Sequence, residues 1–336
     1  MNSGHHEGTP ARRTTLLAFL ALVVFAGASA ALWPRLRAPD AARSASGLRV
    51  TDDTGRSVLV PRPVRRIVSL APNLTETLFA LNLGDRVVGV TDYCDYPPEA
   101  ATREHVGGTD SPNLEKIVQL QPDLVLATRS GGNRLATVQS LDTLAIPVFT
   151  TDPHSVDDVV ASVQRIGEIA GAPEQGRAVA DGLRRRLSAV AERTAGASAV
   201  PVLLVVWPDP LITVGRNTFI ADALRRAGAE NVIQTAQDWP HASLEEVARR
   251  QPRYLIFASD HSEASNRQIA ELSRRTGWRN LDAVRGARMV VLSESIARPA
   301  PRLVDQIEQL ARMLHPDRFA AEVTPAPAEG THQGTP

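Results

Sequence analysis

Five consecutive positions, Asp92-Tyr93-Cys94-Asp95-Tyr96, gather two carboxylates, two tyrosines and a thiol between a short apolar run and Pro97-Pro98. A tyrosine offers a flat apolar face with a hydroxyl at its rim, suited to a large, partly polar ligand. The prolines restrict the loop and reduce the entropy lost on ordering it; the same four letters, Asp-Tyr-Pro-Pro, also make a rigid turn with no further role. A second segment, Thr128-Arg129-Ser130-Gly131-Gly132, follows the apolar stretch DLVLA. Its glycines let the backbone turn sharply or approach a ligand closely, and Arg129 is able to meet an amide, carboxylate or phosphate. The spacing is not that of a phosphate loop. Trp207-Pro208-Asp209-Pro210, with Thr213-Val214-Gly215 behind it, and Trp239-Pro240-His241 each put a tryptophan in a proline-stiffened loop. Such a side chain either anchors a ligand or covers the edge of a core.

This inventory fits binding better than catalysis. The chain has no Gly-x-Ser-x-Gly elbow, no His-Glu-x-x-His zinc helix and no nucleotide fingerprint. His105, His154, His241 and His261 do not fall at metal-ligand spacing, so a metal site is not expected. Cys94 is the sole cysteine; with no partner it makes neither an intrachain disulfide nor a thiolate metal site. It is either a buried, inert thiol or a neighbour of the pocket.

The elements that must position these loops show a weak internal repeat. NLEKIVQLQPDLVLA begins at Asn113 and SLEEVARRQPRYLIFA at Ser243, 130 positions later. Each copy has a polar N-cap, a short helix with a glutamate in its first turn, Gln-Pro, and an apolar strand; Ser243 and Glu246 also have capping-box spacing. Around each copy lie further short apolar strands and amphipathic helices. A strand is expected at Arg66-Ile67-Val68-Ser69-Leu70, with a helix capped near Asn73 and Glu76 three positions on. Others are expected at 202–207, 146–150 and 288–292, with a helix over 218–227. Such alternation reads as parallel α/β sheet. The expected fold is therefore α/β, with two Rossmann-like lobes enclosing a cleft. Between them, a helix from Ser155-Val156-Asp157-Asp158 and a second one beyond Gly171-Ala172-Pro173 form a helical connector; a helix of about 20 residues extends about 30 Å. Ligands in such folds bind at the carboxyl ends of the strands, where the aromatic loops lie.

The 336 residues suffice for two domains, and the 43% apolar fraction supports a folded body. Zero formal net charge argues against nucleic acid. Arg12-Arg13, an apolar run over 16–32 and Ala28-Ser29-Ala30 read over 1–30 as an export signal or, if uncleaved, a membrane anchor. Residues 31–48 read as a flexible spacer and 320–336 as a disordered tail. The expected division is an N-terminal lobe over 49–154, a connector region over 155–197 and a C-terminal lobe over 198–319.

RRIVSLAPNLTETLFALNLGDRVVGVTDYCDYPPEA, NLEKIVQLQPDLVLA and WPDPLITVGRNTFIADALRRAGAENVI together resemble the periplasmic cobalamin-binding proteins of bacterial ABC importers. These belong to a wider group of cobalamin, siderophore and haem receptors whose two lobes are joined by a single long helix. The resemblance implies an exported, non-catalytic receptor without a cofactor of its own. Such a receptor catches a corrinoid in the cleft and delivers it to a permease dimer driven by a cytoplasmic ATPase. The alternatives are a siderophore or haem receptor, and, from other classes, a metal-ion receptor or an enzyme using the cleft. Tyr93 matches the tyrosine of the family's Tyr-Ser-Asp-Tyr-Pro loop, with Cys94 in place of the serine. Trp239 matches a pocket tryptophan, and Arg298 is retained in a late loop, Ser295-Ile296-Ala297-Arg298, that lacks the family's bulky residues. Thr128 stands where the family has a tryptophan. The expected ligand-facing set is Tyr93, Cys94, Asp95, Arg129, Trp207, Trp239 and Arg298. Glu115 and Glu245, at matching positions of the repeat, match the family's permease-docking glutamates; each also favours the positive end of its own helix.

Overall fold

The computed structural model describes residues 47–129, 132–259 and 263–320. The signal or anchor, most of the spacer, the tail beyond Ala320, Ser130, Gly131 and His261 lie outside the described residues. An antiparallel hairpin opens the body, β1 (Gly47–Thr51) with β2 (Ser57–Pro61); its first strand starts inside the expected spacer.

Two parallel sheets follow. The first has five strands in the order β5 (Glu104–His105), β4 (Val87–Val90), β3 (Ile67–Ser69), β6 (Leu124–Thr128), β7 (Val148–Thr151). The second has four: β11 (Ala229–Asn231), β8 (Val200–Val205), β12 (Tyr254–Ser259), β13 (Met289–Ser293). A short antiparallel pair, β9 (Trp207–Pro208) with β10 (Leu211–Ile212), follows β8. β3, β6 and β7 are buried along their whole length, as strands covered on both faces must be. Helices flank them, among them α1 (Pro72–Ala80), α2 (Leu114–Gln119), α3 (Leu135–Thr143), α6 (Phe219–Arg226), α7 (Leu244–Arg250), α8 (Glu263–Arg274), the single turn α9 (Asp282–Arg285) and α10 (Leu303–Leu314). The fold is α/β with two lobes.

The repeat folds alike in both copies. Asn113 caps α2 by accepting from the Lys116 amide, and Ser243 caps α7 by accepting from the Glu246 amide. Just past each helix stands a glutamine in the left-handed region, Gln121 at φ 46° and Gln251 at φ 44°, each followed by proline. The stop is thus shared between a reversed turn and the missing amide of the proline. The second capping box is only half formed, because Glu246 pairs with Arg250 along the helix.

Between the sheets, α4 (Val156–Ile169) and α5 (Pro173–Thr194) form a tight pair. Ser155 and Asp158 complete a full capping box at the start of α4. Asp222 of α6 accepts from the Val156 amide at 2.9 Å, and Arg226 reaches Asp157 at 2.7 Å. α4 packs on α1 of the first lobe and on α6 of the second, while the 22-residue α5 runs against α4 and α10. One apolar core, including Leu74, Val160, Leu187, Leu224 and Leu310, continues through both lobes and the pair.

Candidate functional site

Buried amides organise the loops at the carboxyl ends of both sheets. Asn133 donates through Nδ2 to the carbonyls of Leu70 (2.9 Å) and Thr109 (2.7 Å), and its Oδ1 accepts from the Thr128 amide (2.7 Å). It ties the Arg129 loop to two neighbours. Asn231 serves the second lobe, accepting from the Leu204 amide (3.1 Å) and donating to the Val214 carbonyl (2.9 Å). The Trp239 loop is stitched to the segment before α6: Gly215 N donates to Asp238 O (2.9 Å), and Thr213 N to Pro240 O (3.1 Å). A Cβ at Gly215 would collide with the Gln237 carbonyl, so only glycine allows this approach.

Arg129 and Trp239, one from each lobe, meet in a cavity of about 300 Å³ whose walls also include Asp152, His154, Phe219 and Asp238. Arg129 Nε and His154 Nε2 both lie 3.5 Å from Asp152 Oδ2. A second cavity, about 220 Å³, belongs to the C-terminal lobe alone and lies beside Trp207, Phe257, Leu272 and Glu294. The indole of Trp207 donates to the Asp209 carbonyl of its own turn (2.9 Å). Tyr93 stands on the β4 loop with 63% of its surface exposed, Trp207 is 56% exposed and Trp239 42%. The remaining described tryptophan, Trp278, is buried. Among the described residues no group of three or more His, Cys, Asp or Glu side chains is arranged to hold a metal. His105 instead contacts Asp92 (3.2 Å) and the Ala101 carbonyl (3.3 Å).

Three members of the expected set behave differently. Cys94 is buried, its thiol against Thr75 Oγ1 (3.1 Å) and Thr91 Oγ1 (3.2 Å), and burial pushes that thiol up in pKa. It holds the loop from inside and does not face a ligand. Asp95 and Arg298 are paired with each other across the lobes: Arg298 Nη1 donates to Asp95 Oδ1 at 2.7 Å. The hydrogen bond from Arg298, stronger here than the opposing effect of burial, holds the Asp95 carboxyl below the usual carboxylate range.

Sequence reasoning missed the group these two join. Glu76 is 3% exposed, and its carboxylate accepts from Arg298 Nη1 (3.0 Å), Arg302 Nη2 (2.7 Å) and Arg302 Nε (2.9 Å). The Arg302 guanidinium lies 3.6 Å above the Tyr96 ring. Burial works against the charge of Arg298 but is outweighed by the hydrogen bonds to Asp95 and Glu76, so its pKa rises. At sequence level Glu76 reads as a helix-start acid; α1 in fact begins at Pro72 with no side-chain cap. The one sequence signal that pointed elsewhere is that Glu76 is the sole charge in α1, placed between Leu74 and Leu78.

The profile of the family described as periplasmic binding protein matches residues 67–295, which spans both sheets. The chain belongs to the periplasmic binding protein family. Members of this family bind substrates outside the cytoplasm and are not enzymes. Over 209 residues the chain is 32% identical to the vitamin B12-binding protein of Yersinia pestis (strain Pestoides F), covering 62% of this chain and 74% of that one. The crystal structure of the periplasmic vitamin B12 binding protein BtuF of Vibrio cholerae superposes with a TM-score of 0.67 at 27% identity, covering 77% of this chain and 99% of that one. The periplasmic haem-binding protein RhuT from Roseiflexus sp. RS-1 superposes equally well, with a TM-score of 0.67 at 25% identity over 76% of this chain and 99% of that one.

Within this periplasmic binding protein, Glu115 and Glu245 stand exposed in the first turns of α2 and α7. Glu245 pairs with Arg249 at 2.9 Å, a solvated contact within one helix.

Proposed function

We propose that this chain is the substrate-binding component of an ABC importer, taking up cobalamin or a related corrinoid between its lobes. The lobes, over 49–154 and 198–319, hold the ligand against Tyr93, Trp207 and Trp239, with Arg129 meeting a polar edge. The receptor then docks on a permease dimer through Glu115 and Glu245, one per lobe, and the ligand passes on without any covalent change. A pseudo-twofold arrangement of acids suits a twofold partner and steers the encounter.

The observation that carries this is the exposure of Tyr93, Trp207 and Trp239 on carboxyl-end loops, while Trp278 is buried in the core and the equally exposed Tyr96 already has Arg302 on its ring. Exposed aromatics of this kind await an apolar face, and a corrin ring with its amide fringe offers both an apolar face and hydrogen-bonding edges. The relatives that bind vitamin B12 support the same choice. An iron-bearing ligand is the second reading: the exposed Tyr93 is available to a metal centre and the exposed Arg129 to an anionic group.

Calorimetric titration of the purified protein with cyanocobalamin, haem and a ferric siderophore in parallel separates the two. One-to-one corrinoid binding weakened by Tyr93→Ala is the expected result. Saturable binding of haem or the siderophore, with none of the corrinoid, would transfer the role to the second reading.

A further inference from the structure

In the cluster around Glu76, the contacts of Glu76, Asp95 and Tyr96 with Arg298 and Arg302 all cross from one lobe to the other. Glu76 lies on α1, and Asp95 and Tyr96 lie on the loop after β4; Arg298 and Arg302 precede α10. α1 and α10 themselves rest on the two connector helices α4 and α5. The cluster thus lies where the lobes join, and it has a dry part and a wet part.

The dry part is Glu76 with Arg302. Both carboxylate oxygens are engaged at 2.7 and 2.9 Å, and Tyr96 covers the guanidinium from one side. A carboxylate this buried is stable only while its partners stay, since losing one leaves an uncompensated charge out of water. The wet part is Asp95 with Arg298. The Asp95 side chain is 68% exposed, one of its oxygens sits at 2.7 Å and the other at 3.4 Å, and Glu294 competes for the same guanidinium at 3.7 Å. Water reaches the Asp95 carboxylate, although the Arg298 side chain is only 17% exposed, and Arg298 keeps Glu76 as a partner when Asp95 leaves, so this contact is the more easily broken of the two.

The same loop carries Tyr93. On one side of Tyr93 the chain runs into β4. On the other, Cys94 is fixed to Thr75, the immediate neighbour of Glu76, and Asp95 and Tyr96 are held by arginines of the opposite lobe. Any change in lobe separation therefore pulls on the residues next to Tyr93.

We propose that Asp95 and Arg298 form a breakable interlobe latch that positions the Tyr93 loop, while Glu76 and Arg302 form the lasting pivot beside it. Asp95 is a positioning residue that acts through Arg298 without touching the ligand. Opening the latch frees the loop and lets the ligand leave, while Arg298 keeps its 3.0 Å contact with Glu76 and stays with the pivot. The part concerning the ligand rests on the corrinoid reading; the part concerning lobe separation does not.

The test uses spin labels at Gln139→Cys on α3 and Asn266→Cys on α8, exposed positions on opposite lobes. Interlobe distances are measured without ligand, and cyanocobalamin release is followed by stopped flow. Asp95→Asn is expected to lengthen and broaden the ligand-free distance distribution and to speed release about fivefold, and Asp95→Glu to restore both. Asp95 is exposed, so its variants test the contact without emptying a core position. An unchanged distribution in Asp95→Asn overturns the latch, and so does faster release with unchanged distances, which would make Asp95 a direct ligand contact. If the parent protein binds no cyanocobalamin, the corrinoid reading fails, and the distance measurement alone decides for or against the latch.

Discussion

Asp52 lies in the turn between β1 and β2 with its side chain shielded from solvent. It accepts from the Thr54 amide (3.1 Å) and hydroxyl (2.7 Å) and from the Arg56 amide (2.9 Å) and Nε (3.1 Å). Burial by itself raises this carboxyl's pKa, but the hydrogen bonds from Thr54 and Arg56 together outweigh it and leave it below the usual range. A pKa depressed in the folded state contributes stability above the unfolded value of about 4, lost as pH falls through the folded value. Asp52→Asn is therefore expected to lower unfolding free energy by about 1–3 kcal/mol at neutral pH. In urea titrations the gap between variant and parent should narrow as pH falls below the unfolded value and through the lower folded one; a gap independent of pH would contradict this assignment. At the ligand-facing loops the residue-scale expectation concerns Trp239. Removing its half-exposed indole by Trp239→Ala should weaken cyanocobalamin binding roughly 10- to 100-fold, in line with the loss of one large apolar contact, while the thermal midpoint stays close to that of the parent.

The element that sets the distance between lobes is the α4–α5 pair, and two glycines make it possible. A Cβ on Gly167 would come 2.7 Å from the Gly176 Cα, and one on Gly176 would come 2.7 Å from the Gln164 carbonyl. The two backbones cross with no room for a side chain. Gly182 lies six residues further along α5, where an added Cβ meets only the tip of Arg185 at 3.8 Å. The two alanine substitutions should therefore have opposite signs. Gly176→Ala is expected to destabilise by about 1–3 kcal/mol through overpacking, and Gly182→Ala to stabilise by about 0.5–1 kcal/mol through helix propensity. Calorimetric unfolding of both variants checks the pair, and a shift of the same sign in both would refute the close crossing. The connector helices were legible beforehand because Ser155, Asp158 and Pro173 are local signals and the apolar spacing is periodic. Their closeness was not, since a glycine inside a helix looks the same whether it is crowded or free. α8 and the β1–β2 hairpin also went unforeseen; α8 is amphipathic but highly polar, with one fully buried side chain, Leu272.

For the whole molecule, Glu115 and Glu245 put one exposed acid at the start of a matching helix in each lobe. A carboxylate there gains about 0.3–1 kcal/mol from the helix end, so replacing it costs a little stability wherever the partner is. Docking adds a separate expectation. The double variant Glu115→Arg, Glu245→Arg should bind cyanocobalamin as the parent does, yet no longer stimulate the ATPase of its permease in proteoliposomes. Stimulation by the parent should also fall as salt rises, because exposed charges are screened. Full stimulation by the double variant would remove both glutamates from the docking surface.

The sequence by itself determined the parallel α/β class and the two copies of the repeat, and through the resemblance of three segments it pointed to the family. The first two rest on local rules: which residues start a helix, which stop it, and how often apolar side chains recur. It also located the loops that carry Tyr93, Arg129, Trp207 and Trp239, since loops after strands follow from element order. Only the tertiary structure decided which way side chains within those loops face. Cys94 turned inward because two threonines received its thiol, and Arg298 turned to Asp95 and Glu76 instead of standing free. Glu76 meets Arg298 and Arg302 across 222 and 226 positions of chain. No local pattern encodes such a pairing; it exists because a helix pair packs the two lobes side by side, and a buried carboxylate must find its counter-charges wherever that packing brings them.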